Sequence, residues 1–305
     1  MKIPHRLLLF ATAAMFSAAF AQQAPAQTLA TSTTSTSTAF VPPGQQPSLL
    51  GTLRHCENRF PGGPCTQKST LVMLDPATGN LIKTIGPVGF TVNGLAWDKA
   101  TKTLFASTAI GDVTFHGLIT IAPNGKGTPV NPNLHNFGVE GVDVPIHAFT
   151  VDVFGHMVAS YPIPPGSTDL DDTYVRIDKT TGIATEFPNT GLNTNQNGIS
   201  FGEFNLLWNI DSPKANSNPA GPPLIQTAYL INPFDGTKLL SKPLTPPTNA
   251  ALGDFHPENN LYYGLNFEPF DPAGTTFIEV VDVLAGTVTT LGRTVDHLHT
   301  LTFIP

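Results

Sequence analysis

An internal repeat constrains this chain more than any single motif does. One unit reads strand, Asx-rich turn ending in glycine, strand. It occurs as LVMLDPATGNLIKTI (71–85), TYVRIDKTTGIATEF (173–187), AYLINPFDGTKLLS (228–241) and FIEVVDVLAGTVTTL (277–291), with a weaker copy, GLITIAPNGKGTPV, at 117–130. Asp or Asn at these turns bonds its own backbone, and glycine takes the positive φ of a tight turn. A second unit alternates with the first: an apolar strand that begins with a polar residue, a short turn, and another strand. Its copies are VNGLAWDKATKTLFAS (92–107), IHAFTVDVFGHMVAS (146–160), QNGISFGEFNLLWNI (196–210) and AALGDFHPENNLYYGL (250–265). A fifth copy is split across the ends of the repeat region, with LHTLTFIP (298–305) as its first strand and SLLGTLRHC (48–56) as its second.

Four strands per unit, with the last strand of the chain pairing with the first, describe an all-β ring that leaves no long free sheet edge. The expected fold is a β-propeller of four-stranded antiparallel blades over residues 48–305, closed by pairing 298–305 with 48–56. Asp75 and Asp282 sit at equivalent turns four units apart, which sets a period of about 52 residues. Five blades match that period and the 258-residue domain. The alternative of six needs about 43 residues per blade and fits the period less well.

The segment before the repeats has a different composition. Lys2, His5 and Arg6 precede an apolar run from Leu7 to Phe20, and Ala19-Phe20-Ala21 has the form of a cleavage site, so residues 1–21 read as a secretory signal. Residues 22–47 are rich in Ser, Thr, Gln and Pro, carry no charge and lack core-forming side chains. They read as a disordered linker. The expected location is secreted or periplasmic. Loss of Lys2 and Arg6 moves the formal charge from −7 to −9, which lacks the basic footprint of nucleic-acid binding. No apolar run reaches the ~20 residues of a membrane-spanning helix. Cys56 and Cys65, the two cysteines, flank FPGGP and read as a disulfide in an oxidising compartment, with a His55-assisted metal site as the lesser alternative. A monomer is expected.

Loop lengths single out one face. With strands named a to d from axis to rim, the b–c loops (57–69, 108–116, 161–172, 211–226, 266–276) and the d–a loop 131–145 are long and emerge on one side. Binding residues concentrate on such loops. Along the inner strands, Leu95 and Trp97, Phe149 and Val151, Ile199 and Phe201, Phe255, and Leu301 and Phe303 alternate as blade-packing positions. Two residues before each set stand Asn93, His147, Asn197, Ala251 and His299, which five converging strands would bring around one channel mouth. His297 and Asn249 are further candidates there, as are His116 and Glu140 on the neighbouring loops.

This ring reads in three ways. Asn93, His147, Asn197 and His299 offer ligands to one divalent metal ion. His147 or His299 offers a general base with Asn side chains orienting a substrate oxygen. Or the ring satisfies backbone groups and channel water. The acidic run Asp169, Asp171 and Asp172 lacks the spacing of a calcium loop and reads as a solvated turn. No nucleophile elbow, phosphate loop, zinc-protease helix or dinucleotide fingerprint occurs.

TVNGLAWDKATKTLFAST, NQNGISFGEFNLLWNID and PIHAFTVDVFGHMVASY resemble the inner-strand units of the gluconolactonase and regucalcin-like propellers, and more broadly of the NHL and YVTN types. The resemblance implies a divalent metal in the central channel, with Asn93 and Asn197 at metal-binding Asn positions. His147 stands where that family has an Asp, and SLLGTLRHC lacks the family's early Glu. The expected function is binding of a small-molecule ligand or protein partner at the loop-rich face and channel, without catalysis. The alternative is a metal-dependent hydrolase, lactonase-like enzyme or lyase.

Overall fold

A computed structural model describes residues 46–54, 68–109, 112, 114–138, 146–161, 173–186, 192, 198–211, 226–246, 250–267 and 273–305. These form five four-stranded antiparallel sheets. Blade 1 is β20 (Leu298–Ile304), β1 (Ser48–Leu53), β2 (Thr70–Leu74) and β3 (Leu81–Pro87), counted from axis to rim. Blade 2 is β4 (Val92–Asp98), β5 (Thr103–Thr108), β6 (Leu118–Ile121) and β7 (Gly127–Pro129). Blade 3 runs β8 (Ala148–Val151), β9 (Met157–Tyr161), β10 (Thr173–Ile177), β11 (Ala184–Glu186). Blade 4 runs β12 (Gly198–Phe201), β13 (Leu207–Ile210), β14 (Thr227–Ile231), β15 (Lys238–Pro243). Blade 5 runs β16 (Ala251–Phe255), β17 (Tyr262–Phe267), β18 (Thr276–Asp282), β19 (Thr287–Arg293). The protein is a five-bladed β-propeller. Among the described residues no helix is long and apolar enough to cross a membrane.

The turns follow the repeat chemistry. Asp75, Asp178 and Asp282 each accept a hydrogen bond from the backbone two residues on, and Gly79, Gly182 and Gly286 close the same turns at φ of 73°, 79° and 77°. The core lies between blades. Five buried apolar clusters occupy the five blade interfaces, for example Leu104 and Ile119 with Leu50 and Ile304 between blades 2 and 1. The cluster between blades 5 and 1 joins Tyr263, Leu265 and Ile278 to Leu49, Val72 and Phe303, which completes the circle.

The inner strand of blade 5 is irregular. β16 carries a bulge between Ala251 and Asp254, with Leu252 at φ 49°. Gly253 fills it because a Cβ there would lie 1.8 Å from the Tyr263 carbonyl. Bulges re-aim side chains, and this one accompanies a cross-blade contact. The Asp254 carboxylate accepts from Ser200 Oγ (2.5 Å) on β12, and from Thr302 Oγ1 and Phe303 N–H (3.0 Å each) on β20. One side chain thus joins blades 4, 5 and 1.

Closure rests on the split blade. Leu49 to Leu53 pair with Phe303 down to Leu298, and Leu298, Leu301, Phe303 and Ile304 are all buried. At roughly 1.5–3 kcal/mol for each buried side chain, these four approach the whole stability of an ordinary domain, ~5–15 kcal/mol. Deletion of residues 298–305 is therefore expected to abolish soluble protein. A truncated chain that stayed soluble and melted cooperatively by calorimetry would show that closure is dispensable.

Candidate functional site

The entries of β20, β4 and β8 bring polar groups together at one end of the inner strands. Asn93 enters β4 at a bulge between Val92 and Gly94 and is 2% exposed. Its Nδ2 donates to the Ile146 carbonyl (3.2 Å) just before β8, an oxygen that also accepts from Ser107 Oγ (2.9 Å). Gly94 makes this approach feasible, since a Cβ there would sit 2.6 Å from the His147 carbonyl. The Asn-Gly pair thus locks blade 2 to the start of blade 3 and holds Asn93 Oδ1 at the mouth.

Arg54 reaches that oxygen from the closing blade. It follows β1, and its N–H donates to the His297 carbonyl (2.9 Å) immediately before β20. Its Nη1 donates to Asn93 Oδ1 (2.6 Å) and lies 3.1 Å from His299 Nε2, which is itself 3.3 Å from Asn93 Oδ1. Three side chains from two blades form one polar cluster. His147 stands within range of the same charge: burial, and then the Arg54 guanidinium, push its pKa down to about 4. Its imidazole is neutral at pH 7. Lys68 Nζ and Asp112 Oδ1 pair at 2.7 Å and tie the blade 1 and blade 2 loops together.

The other sequence candidates lie elsewhere or outside the description. His116 is buried edge-on against Phe137 at a centroid distance of 5.8 Å, within blade packing. His297, at φ 63°, directs its ring against Gly274, whose added Cβ would meet Nδ1 at 2.3 Å, and offers the cluster its backbone carbonyl. Asn197, Asn249, Glu140, Cys56 and Cys65 fall outside the described residues, as do residues 1–45. His156 is exposed and hydrogen-bonded to Asp152, while His256 packs on Phe303. Arg54 was not legible as a site residue because it follows the second strand of its blade and is no inner-strand entry position. Laying 48–54 antiparallel to 298–304 puts Arg54 level with the strand starts, which is the signal that would have found it.

Asn93 Oδ1 and His299 Nε2, two of the prospective donors, face a permanently charged guanidinium within 3.1 Å. A second cation at those atoms meets direct repulsion, so the residues do not fit a metal ion there. Among the described residues, no group of three or more His, Cys, Asp or Glu is arranged to hold one.

Comparison with known proteins gives fold-level neighbours. No protein-family profile matches the chain, and no curated protein matches it. It is similar to a chain of the nidogen/laminin complex (TM-score 0.49, 11% identity, 84% of this chain and 98% of that one). It is also similar to TolB from Acinetobacter baumannii (TM-score 0.47, 12% identity, 82% of this chain), of which it spans 54%.

The depressed His147 pKa has a consequence for stability. Between pH 6.5 and about 4 the unfolded chain takes up a proton at this residue that the folded chain refuses, so stability falls as pH falls through that window. The full loss is on the order of 3 kcal/mol. His147→Gln is expected to flatten the Tm-against-pH curve there, and an unchanged slope would refute the burial assigned to this ring.

Proposed function

We propose that this protein is an exported binding propeller that captures an anionic group, a carboxylate or phosphate, at the loop-rich mouth of its channel. The observation that carries the reading is the Arg54–Asn93–His299 cluster beside neutral His147. A guanidinium presents donors in a planar fork matched to such oxyanions. Asn93 is held by a buried bond to the next blade, so the cluster is organised before any ligand arrives. Preorganised donors lose little on binding.

Two features weigh against catalysis. A general base works best with a pKa near the working pH, and an imidazole at about 4 is a weak one. The metal-dependent chemistry implied by the gluconolactonase-like resemblance needs a cation where Arg54 already stands. Binding without turnover is the better supported reading. The basic, apolar and small-x-small pattern of residues 1–21 supports export, with the mature chain beginning at Gln22.

Isothermal titration with acetate, citrate and inorganic phosphate is expected to find at least one that binds. Arg54→Gln should weaken it tenfold or more, and Arg54→Lys should recover part of the loss. The control Lys83→Gln, on the exposed strand β3, should leave it unchanged. No binding by any of the three anions, or equal binding in Arg54→Gln, would refute the reading. Elemental analysis supplies a separate check: stoichiometric divalent metal that disappears in Asn93→Ala/His299→Ala would restore the metal-dependent alternative. Mass spectrometry of protein from fractionated cells should place the mature N-terminus at Gln22 in the exported fraction.

A further inference from the structure

The opposite end of the channel holds a different set of groups. In the sequence, Ala96, Thr150, Ser200, Asp254 and Thr302 each lie three residues past the entry positions Asn93, His147, Asn197, Ala251 and His299, one per blade. Four of the five carry side-chain oxygen, and they form one belt. Thr150 Oγ1 accepts from the Phe201 N–H (3.2 Å), Ser200 Oγ donates to Asp254 Oδ1 (2.5 Å), and Thr302 Oγ1 donates to Asp254 Oδ2 (3.0 Å). Beside this belt a small cavity is lined by Trp97, Thr150, Phe201, Asp254 and Phe303, with exposed Lys99 also on its wall.

Asp254 is the belt's carboxylate, and all its hydrogen-bond donors are neutral: two hydroxyls and the Phe255 and Phe303 N–H groups. Among the described residues no Lys, Arg or His nitrogen pairs with it. Burial raises its pKa against the pull of those hydrogen bonds. A half-buried carboxylate without a cation beside it is costly. This one borders a cavity whose lining includes Trp97, Phe201, Phe255 and Phe303 from four blades, and aromatic faces attract positive charge.

We propose that this cavity binds the ammonium headgroup of a small organic amine. Asp254 supplies the countercharge, Thr150 Oγ1 accepts an N–H group, and Trp97, Phe201 and Phe303 line the space beside its carbon. A calcium ion is a poorer match, because two oxygen-bearing side chains line the cavity where six to eight oxygen ligands are usual. The site is separate from the anion-binding mouth, and its ligand carries the opposite charge.

The test is thermal unfolding of the purified protein with ethylammonium or butylammonium chloride, against sodium, calcium and tetramethylammonium chloride at matched ionic strength. The alkylammonium salts are expected to raise Tm by about 2–4 °C or more beyond the others near saturation. Asp254→Asn should remove that difference, and should it fail to fold, Trp97→Leu should weaken binding at least fivefold by calorimetry. Lys99→Met should bind as well as the parent or better. Equal shifts with sodium or calcium, no shift with any amine, or a shift preserved in Asp254→Asn would each overturn the proposal. So would binding seen in Lys99→Met alone, since the cavity would then be filled by Lys99.

Discussion

The pairing of β20 with β1 is the constraint on which the rest of this molecule depends. A propeller blade has no stability of its own, because its two faces are apolar and need the neighbouring blades. The five interfacial clusters therefore stand or fall with the circle that presents each blade to the next. The circle is closed by backbone hydrogen bonds between the two ends of the folded region, Ser48–Leu53 and Leu298–Ile304. The same pairing builds the candidate site. Arg54 is held by the carbonyl of His297, one residue before β20, and so arrives beside His299 and Asn93.

The channel that results differs at its two ends. At the loop-rich end a guanidinium and a histidine kept neutral by burial favour negative charge. At the far end a carboxylate held by neutral donors favours positive charge. Both rest on local departures from regular strand geometry: the bulge at Val92/Gly94 that frames Asn93, and the bulge at Leu252 and Gly253 that precedes Asp254.

The fold was legible because its physics is periodic. Asx-Gly turns at equal spacing, alternating apolar residues and a polar residue at each inner strand start recur about every 52 residues, and a recurring pattern identifies a recurring unit. Asn93 and His299 were legible for the same reason, as members of an equivalent set. His116 and His297 were harder to place, since a loop histidine carries no periodicity to say whether it faces the axis or a neighbouring blade. The structure puts one against Phe137 and directs the other against Gly274. Phe201 and Trp97 were read as blade packing, and they also line the lower cavity.

What the sequence by itself determined is the unit, its number and the strand that closes the ring, because these follow from short-range turn chemistry and alternation. What only the tertiary structure decided is which side chains meet on the axis. Arg54 and Asn93 are 39 residues apart, Arg54 and His299 are 245, and Asp254 and Thr302 are 48. Contacts of that span depend on how far each blade rotates and where its strands bulge, and no local pattern encodes either. The charge at each end of the channel is a property of the closed ring.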